Sequence, residues 1–246
     1  MPEQPTRAPI SPGVQRTDEP LRTVALAALA VHVGLGTLSL VLFLAAFQLR
    51  TDWFADPAQL VGAGPTSAEL LRWAAGVDLV SYYLPIAVIA YVLWRALRPR
   101  SPMVADLSSL AACGYVVAGG VGASALAVVG PMLMNDYAAP GADKASIEVA
   151  FSVLTETVYR AIWQFLDPLL LAAWWLGIGL LIRADQPRLA LLSFGLAAAA
   201  AIGAALTLLG LSLARDALLG IFFIGWMTWS VWLLVLLWRR ATPFQR

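Results

Sequence analysis

The chain has 246 residues, of which 60% are hydrophobic and 13% charged, with a net charge of +1 and a mean hydropathy of +0.77. A soluble domain is typically about 45–50% apolar and about 25% charged, so this chain has more apolar surface than a water-facing fold can bury. A soluble enzyme, a disordered chain and a nucleic-acid binder are excluded, the last because there is no basic field to attract phosphate; the class is an all-α, multi-span protein of the lipid bilayer.

Residues 1–20 (MPEQPTRAPISPGVQRTDEP) are rich in proline and polar side chains and read as a disordered tail. They lack the short basic start and immediate apolar run of a signal peptide. A transmembrane bundle follows over residues 21–240, with six predicted spans at about 23–49, 74–97, 104–134, 162–182, 189–213 and 217–238, each long enough to cross about 30 Å of hydrocarbon. Residues 241–246 form a short tail. The loop before the second span holds Trp53 and Phe54, which with Trp73 read as interfacial anchors, and Ser67, a predicted helix cap. The apolar run from Ile147 to Ile182 exceeds the bilayer, so Ala145–Ala161 is expected to continue outward or lie at the interface. The fifth loop is placed at Ala214–Asp216, which makes spans five and six a tight hairpin. The two three-span halves show no internal repeat.

Basic residues set the orientation. With both termini cytoplasmic, 11 of the 16 fall inside, four (Arg50, Arg72, Lys144 and Arg215) fall outside, and Arg160 lies within the fourth run. The expected location is therefore the inner, cytoplasmic membrane. The ratio of fifteen arginines to one lysine suggests a GC-rich, bacterial genome.

The rare residues limit the chemistry. A lone cysteine, Cys113, cannot form an intrachain disulfide and reads as a buried small hydrophobe. One histidine, His32, argues against haem or zinc and reads as an interior hydrogen-bonding group, with proton traffic as its alternative. The single lysine, Lys144, sits in a polar loop, which excludes a retinal Schiff base. No cofactor and no metal site is predicted.

Small residues recur every fourth position in Gly114/Ala118/Gly122, Gly119/Ala123/Ala127 and Gly195/Ala199/Gly203. Such faces let helices approach closely, inside one bundle or against a second copy or membrane partner. The sixth span carries Phe222, Phe223, Trp226, Trp229 and Trp232, suited to lipid contact or to a pocket for a flat apolar ligand.

Ionisable residues at membrane depth mark functional sites by default. At 100° per residue, Glu156, Arg160, Trp163, Asp167 and Trp174 fall within about 60° of one another, beside Ser152 and Tyr159. This stripe is expected to face the bundle interior, with Arg160 neutralising either carboxylate. Pro168 frees the carbonyl of Gln164 next to Asp167. The second span adds Asp78 and Tyr82 at similar depth. The predicted ligand- or proton-binding set is therefore Asp78, Tyr82, Glu156, Arg160, Trp163 and Asp167, around a cavity open to the outside. No residue is predicted to be catalytic.

Two stretches, AGVDLVSYYLPIAVIAYVLWRALRPRSP (residues 75–102) and WWLGIGLLIRADQPRLALLSFG (residues 174–195), resemble an uncharacterised bacterial multi-pass membrane family, a domain of unknown function. The resemblance implies a similar helical bundle and brings no activity or site residue. Without a catalytic motif, the leading reading is a ligand-binding, sensing or partner-supporting bundle. One alternative is a small proton- or ion-coupled transporter using the Asp78/Arg160/Asp167 region. The other is an intramembrane enzyme acting on an apolar substrate.

The charge bias makes a direct prediction. Reporter fusions after Pro102 and after Gln186 should be cytoplasmic, and fusions at Gly62 and Ala142 external. An external reporter at Pro102 would overturn the orientation.

Overall fold

The computed structural model describes residues 15–50 and 56–240, which are helical throughout apart from turns and short connections. Six helices are long and apolar enough to cross a membrane: α1 (Gln15–Ala46), α2 (Pro65–Leu97), α3 (Pro102–Ala138), α4 (Lys144–Ile182), α5 (Pro187–Leu208) and α6 (Ser212–Trp238). A short 3-10 turn, Pro57–Gly62, precedes α2.

Local chemistry sets the helix ends. Pro65, Pro102 and Pro187 occupy first helical positions, where a missing amide costs nothing and φ is already helical. Asp143 caps α4 by accepting from the Ser146 amide at 3.3 Å and from its hydroxyl at 2.6 Å. These bonds hold the Asp143 carboxyl below the usual carboxylate range. α1 stops where Gln48 and Leu49 turn left-handed, at φ 54° and 61°. The Gln48 amide fixes that turn by donating to the Ala63 carbonyl at 3.1 Å. Gly210, at φ 70°, makes the turn between α5 and α6.

Each helix packs on the next in sequence, and α6 returns to α1, closing a ring. Both ends of the described chain meet on one side, where Arg240 pairs with Glu19 at 2.9 Å and Arg22 reaches the Leu237 carbonyl at 3.4 Å. We call this the terminal side. α3 has 37 residues and α4 has 39, or roughly 55–60 Å against about 30 Å of hydrocarbon. Their connection therefore stands well beyond the bilayer on the far side, tied by a bond from Tyr137 to Glu148 at 2.7 Å.

The interior forms two separate clusters. The larger, centred on Trp174, Trp175, Trp229 and Leu93, fills the ring. The smaller, with Phe47, Leu60, Leu71 and Phe151, joins the far ends of α1 to α4. Within the membrane the sidedness is the reverse of a soluble helix. α3 points Leu110, Val117, Val121 and Val128 outward and keeps Gly119, Gly120, Gly122 and Ala123 inside.

Several expectations are corrected. α1 begins by Gln15, so residues 15–20 are helix rather than tail; residues 1–14, 51–55 and 241–246, with Trp53 and Phe54, lie outside the described residues. α2 starts at Pro65, with Gly64 rather than Ser67 before its first turn; Ser67 is buried beside Gln48. The fifth turn lies at residues 209–211, so Ala214–Asp216 belong to α6. Lys144 opens α4, over the Tyr137 ring, instead of lying in a loop. Cys113 is exposed on the apolar surface, while its neighbour Ala112 faces the interior. Phe222, Trp226 and Trp229 are buried in the bundle rather than turned to lipid.

Two prolines lie inside the spans beside π-helical winding. Pro85 follows the π turn Leu79–Tyr83, and Pro168 follows the π segment Glu156–Leu166. Each removes the amide that would bond the carbonyl four residues earlier, Ser81 and Gln164 respectively. Neighbouring helices supply replacements. His32 Nδ1 donates to Ser81 O at 2.9 Å, and the Thr207 hydroxyl donates to Gln164 O at 2.9 Å.

Thr207→Val should therefore lower stability by about 0.6–1.7 kcal/mol, the range for interhelical bonds in membranes. In a Pro168→Ala background the same change should cost less, because residue 168 regains an amide for Gln164 O. Melting of the four variants in detergent gives the coupling. Equal costs in both backgrounds would refute this account of Thr207.

Candidate functional site

A cavity of about 590 Å³ lies between the two apolar clusters. Its shape follows from the two irregular helices. The π turn of α2 places consecutive tyrosines on opposite neighbours. Tyr82 lies against Gly36 of α1, and Tyr83 lies against Gly119 of α3. A Cβ at Gly119 would collide with the Tyr83 ring and the Asp167 carboxylate, so this glycine creates the space in which those two side chains meet.

The Tyr83 hydroxyl donates to Asp167 Oδ2 at 3.3 Å. Asp167 is only 4% exposed, and its Oδ1 has no partner. Four further buried polar atoms of lining residues also lack partners: Gln164 Oε1, Tyr159 Oη, Trp163 Nε1 and Trp226 Nε1. Across the cavity, Ser39 Oγ of α1 lies 3.4 Å from Asp78 Oδ1 and 3.2 Å from the Ala74 carbonyl. Its one proton serves a single acceptor at a time. The remaining wall is apolar and aromatic, with Phe43, Phe223, Trp226 and Ala199.

Leu40 of α1 and Ile224 of α6 both line the cavity and are also 46% and 72% exposed. α1 and α6 are joined nearer the terminal side, where the His32 and Trp226 ring centroids lie 5.4 Å apart.

Of the six predicted site residues, Asp78, Tyr82, Trp163 and Asp167 line this cavity. Glu156 and Arg160 do not. They pair with each other at 2.9 Å, with side chains 40% and 51% exposed. Their level is that of Phe47, beyond the end of α1, since Phe47 packs on Tyr159. Arg160 thus neutralises Glu156 and leaves Asp167 to Tyr83. The cause is the π winding of residues 156–166. Its i→i+5 bonds widen the turn, so each residue advances less than 100°, and over eleven residues the deficit reaches about half a turn. The continuous stripe holds only for ideal α winding.

Sequence reasoning also missed parts of the site. Arg215, assigned to a loop, is buried in the first turns of α6 and lines the cavity. The positive φ of Gly210 was the available signal for the earlier turn, since glycine marks helix ends. Gln164 was named only for its backbone. The small-residue faces split: Gly114 meets Leu170 and Gly122 meets Trp163, so α3 uses its glycines inside the bundle, whereas nothing lies within 4 Å of a Cβ at Gly195.

These features define a multi-pass membrane protein, helical throughout its described residues apart from turns, with a mainly apolar interior cavity lined by a few buried polar groups. No protein-family model matches the chain, and no curated protein or solved structure matches it.

Gly119→Ala should destabilise the protein by about 1–3 kcal/mol, the usual cost of overpacking. Gly195→Ala should be neutral or stabilising, since it adds helix propensity in open space. Thermal melting compares them. Equal melting points for the two variants would refute the tight Tyr83–Asp167 packing.

Proposed function

We propose that the protein is a ligand-binding membrane bundle without catalytic activity of its own, which draws an apolar or amphipathic molecule from the bilayer into its cavity. The observation that carries this reading is that one cavity is lined both by Leu40 and Ile224, which are exposed on α1 and α6, and by residues with buried, unpartnered polar atoms. A pocket mainly apolar, with a few convergent polar groups, is the usual form of a small-molecule site. The aromatic wall adds face and edge contacts for a ligand, and Trp226 contributes both a ring and an unpartnered Nε1. Sensing or delivery to a partner would follow from occupancy. The arginine-rich terminal side, with Arg95, Arg98, Arg100, Arg183 and Arg188 at the helix ends, supports an inner-membrane orientation with that side cytoplasmic.

A second reading, a small proton- or ion-coupled transporter, draws on one observation. α2 and α4, which carry Asp78 and Asp167, both have π winding followed by a proline, with Pro168 at the cavity, and such irregular helices line many transport sites. In this reading Arg160 drops out of the coupling set.

The test is retention of a single-chain alcohol, dodecanol, by protein released from nanodiscs into native mass spectrometry. One bound molecule is expected. Gly203→Phe, which fills the cavity wall where a Cβ meets only Leu218 at 4.0 Å, should abolish it while keeping the melting point. Equal retention by a folded filled variant would overturn the reading.

A further inference from the structure

The unpartnered atoms identify the chemistry of the head group. This step rests on the ligand-binding reading above and adds the identity of what binds. Asp167 Oδ1 and Gln164 Oε1 are both buried acceptors without a donor, three residues apart on α4. A buried acceptor left unmade costs free energy, and a carboxylate costs most. The ionisable side chains among the lining residues, tyrosines aside, are Asp78, Asp167 and Arg215, two acids to one base. The rings of Tyr82, Tyr115 and Trp226 stand in the same wall, and ring faces attract cations. Beside the acceptors, Trp163 Nε1 and Tyr159 Oη lack partners, and the indole can only donate.

We infer that the cavity takes an amphiphile whose head is a primary amine adjacent to an acceptor oxygen. The ammonium lies against Asp167 and Gln164, the oxygen accepts from Trp163, and the chain leaves between α1 and α6 past Leu40 and Ile224. The ammonium brings three donors to the two unfilled acceptors and balances the excess of acid. A quaternary head has the charge but no N–H. A carboxylate head would face Asp78 and Asp167 with like charge. Leu40 and Ile224 both line the cavity and are exposed on the apolar outer surface, so the chain needs no aqueous route.

The test measures binding in phosphatidylcholine nanodiscs with four twelve-carbon probes: dodecylamine, dodecyltrimethylammonium, dodecanol and dodecanoate. Dodecylamine should bind about tenfold or more tighter than dodecanol, as a charge-assisted bond at a buried site allows, and tighter than the trimethyl probe. Asp167→Asn should remove that preference. Gln164→Leu is the second variant. It spares the backbone carbonyl bonded by Thr207 and should weaken the amine several-fold even where Asp167→Asn folds poorly. If dodecanol binds as tightly as dodecylamine and neither variant changes this, the inference is overturned while the ligand-binding reading stands. Preferred binding of dodecanoate or of the trimethyl probe overturns the inference as well. If no probe binds the wild-type protein, both fall. A further arm fixes the source of the amine. Retention of phosphatidylethanolamine over phosphatidylcholine from mixed nanodiscs assigns it to a two-chain lipid, and retention of dodecylamine alone assigns it to a single-chain amine.

Discussion

A proline inside a membrane helix leaves a carbonyl with no amide to bond, and hydrocarbon offers no water in its place. The bundle meets this constraint twice with the same device. At Pro85 the imidazole of His32 reaches across from α1; at Pro168 the hydroxyl of Thr207 reaches across from α5. Each bond also ties together neighbours in the ring. The carbonyl acceptor fixes His32 with its proton on Nδ1. The irregular winding that accompanies these prolines then decides where Tyr82, Tyr83, Gln164 and Asp167 point. The backbone problem and the polar cavity are two aspects of one local structure.

The cavity persists because the two apolar clusters do not merge. Their boundary falls where α2 and α4 depart from α winding, and only Trp163 packs on both. Gly36 and Gly119 are the small residues that let Tyr82 and Tyr83 stand in this boundary layer. Larger side chains there would push the tyrosines into the cavity or the helices apart. Close packing below and above, with polar atoms between, separates the scaffold from the site within a single ring of helices.

How far the sequence reveals this depends on which rule is asked. Apolar run length located six spans, and the acids at depth pointed to Asp78 and Asp167, because both arguments use composition and position alone. Angular reasoning failed at Glu156 and Arg160, because it assumed a uniform 100° step across a stretch wound as a π-helix. Nothing in ETVYRAIWQFL announces that winding, although the proline after Asp167 warns of an irregular turn. The fifth turn was misplaced because a charged pair, Arg215 and Asp216, outweighed a glycine at 210. In lipid the backbone conformation of glycine decided the turn, and the arginine was carried inside. For the aromatic residues of α6 the sequence left lipid and pocket both open, because hydrophobicity does not distinguish lipid from core when both are apolar; Phe222, Phe223 and Trp226 line the cavity.

Five of the six seams in the ring join helices linked by a loop; the seam between α1 and α6 joins the first helix to the last. During synthesis α6 leaves the ribosome after the other five helices. Until it arrives, an open five-helix arc would present Asp78 and Asp167 to lipid with one wall missing. The final insertion thus encloses the polar layer, and the Glu19–Arg240 and Arg22–Leu237 contacts fasten it at the very ends of the described chain. A ribosome that stalled before α6 would leave the cavity without the wall that Phe222, Phe223 and Trp226 supply.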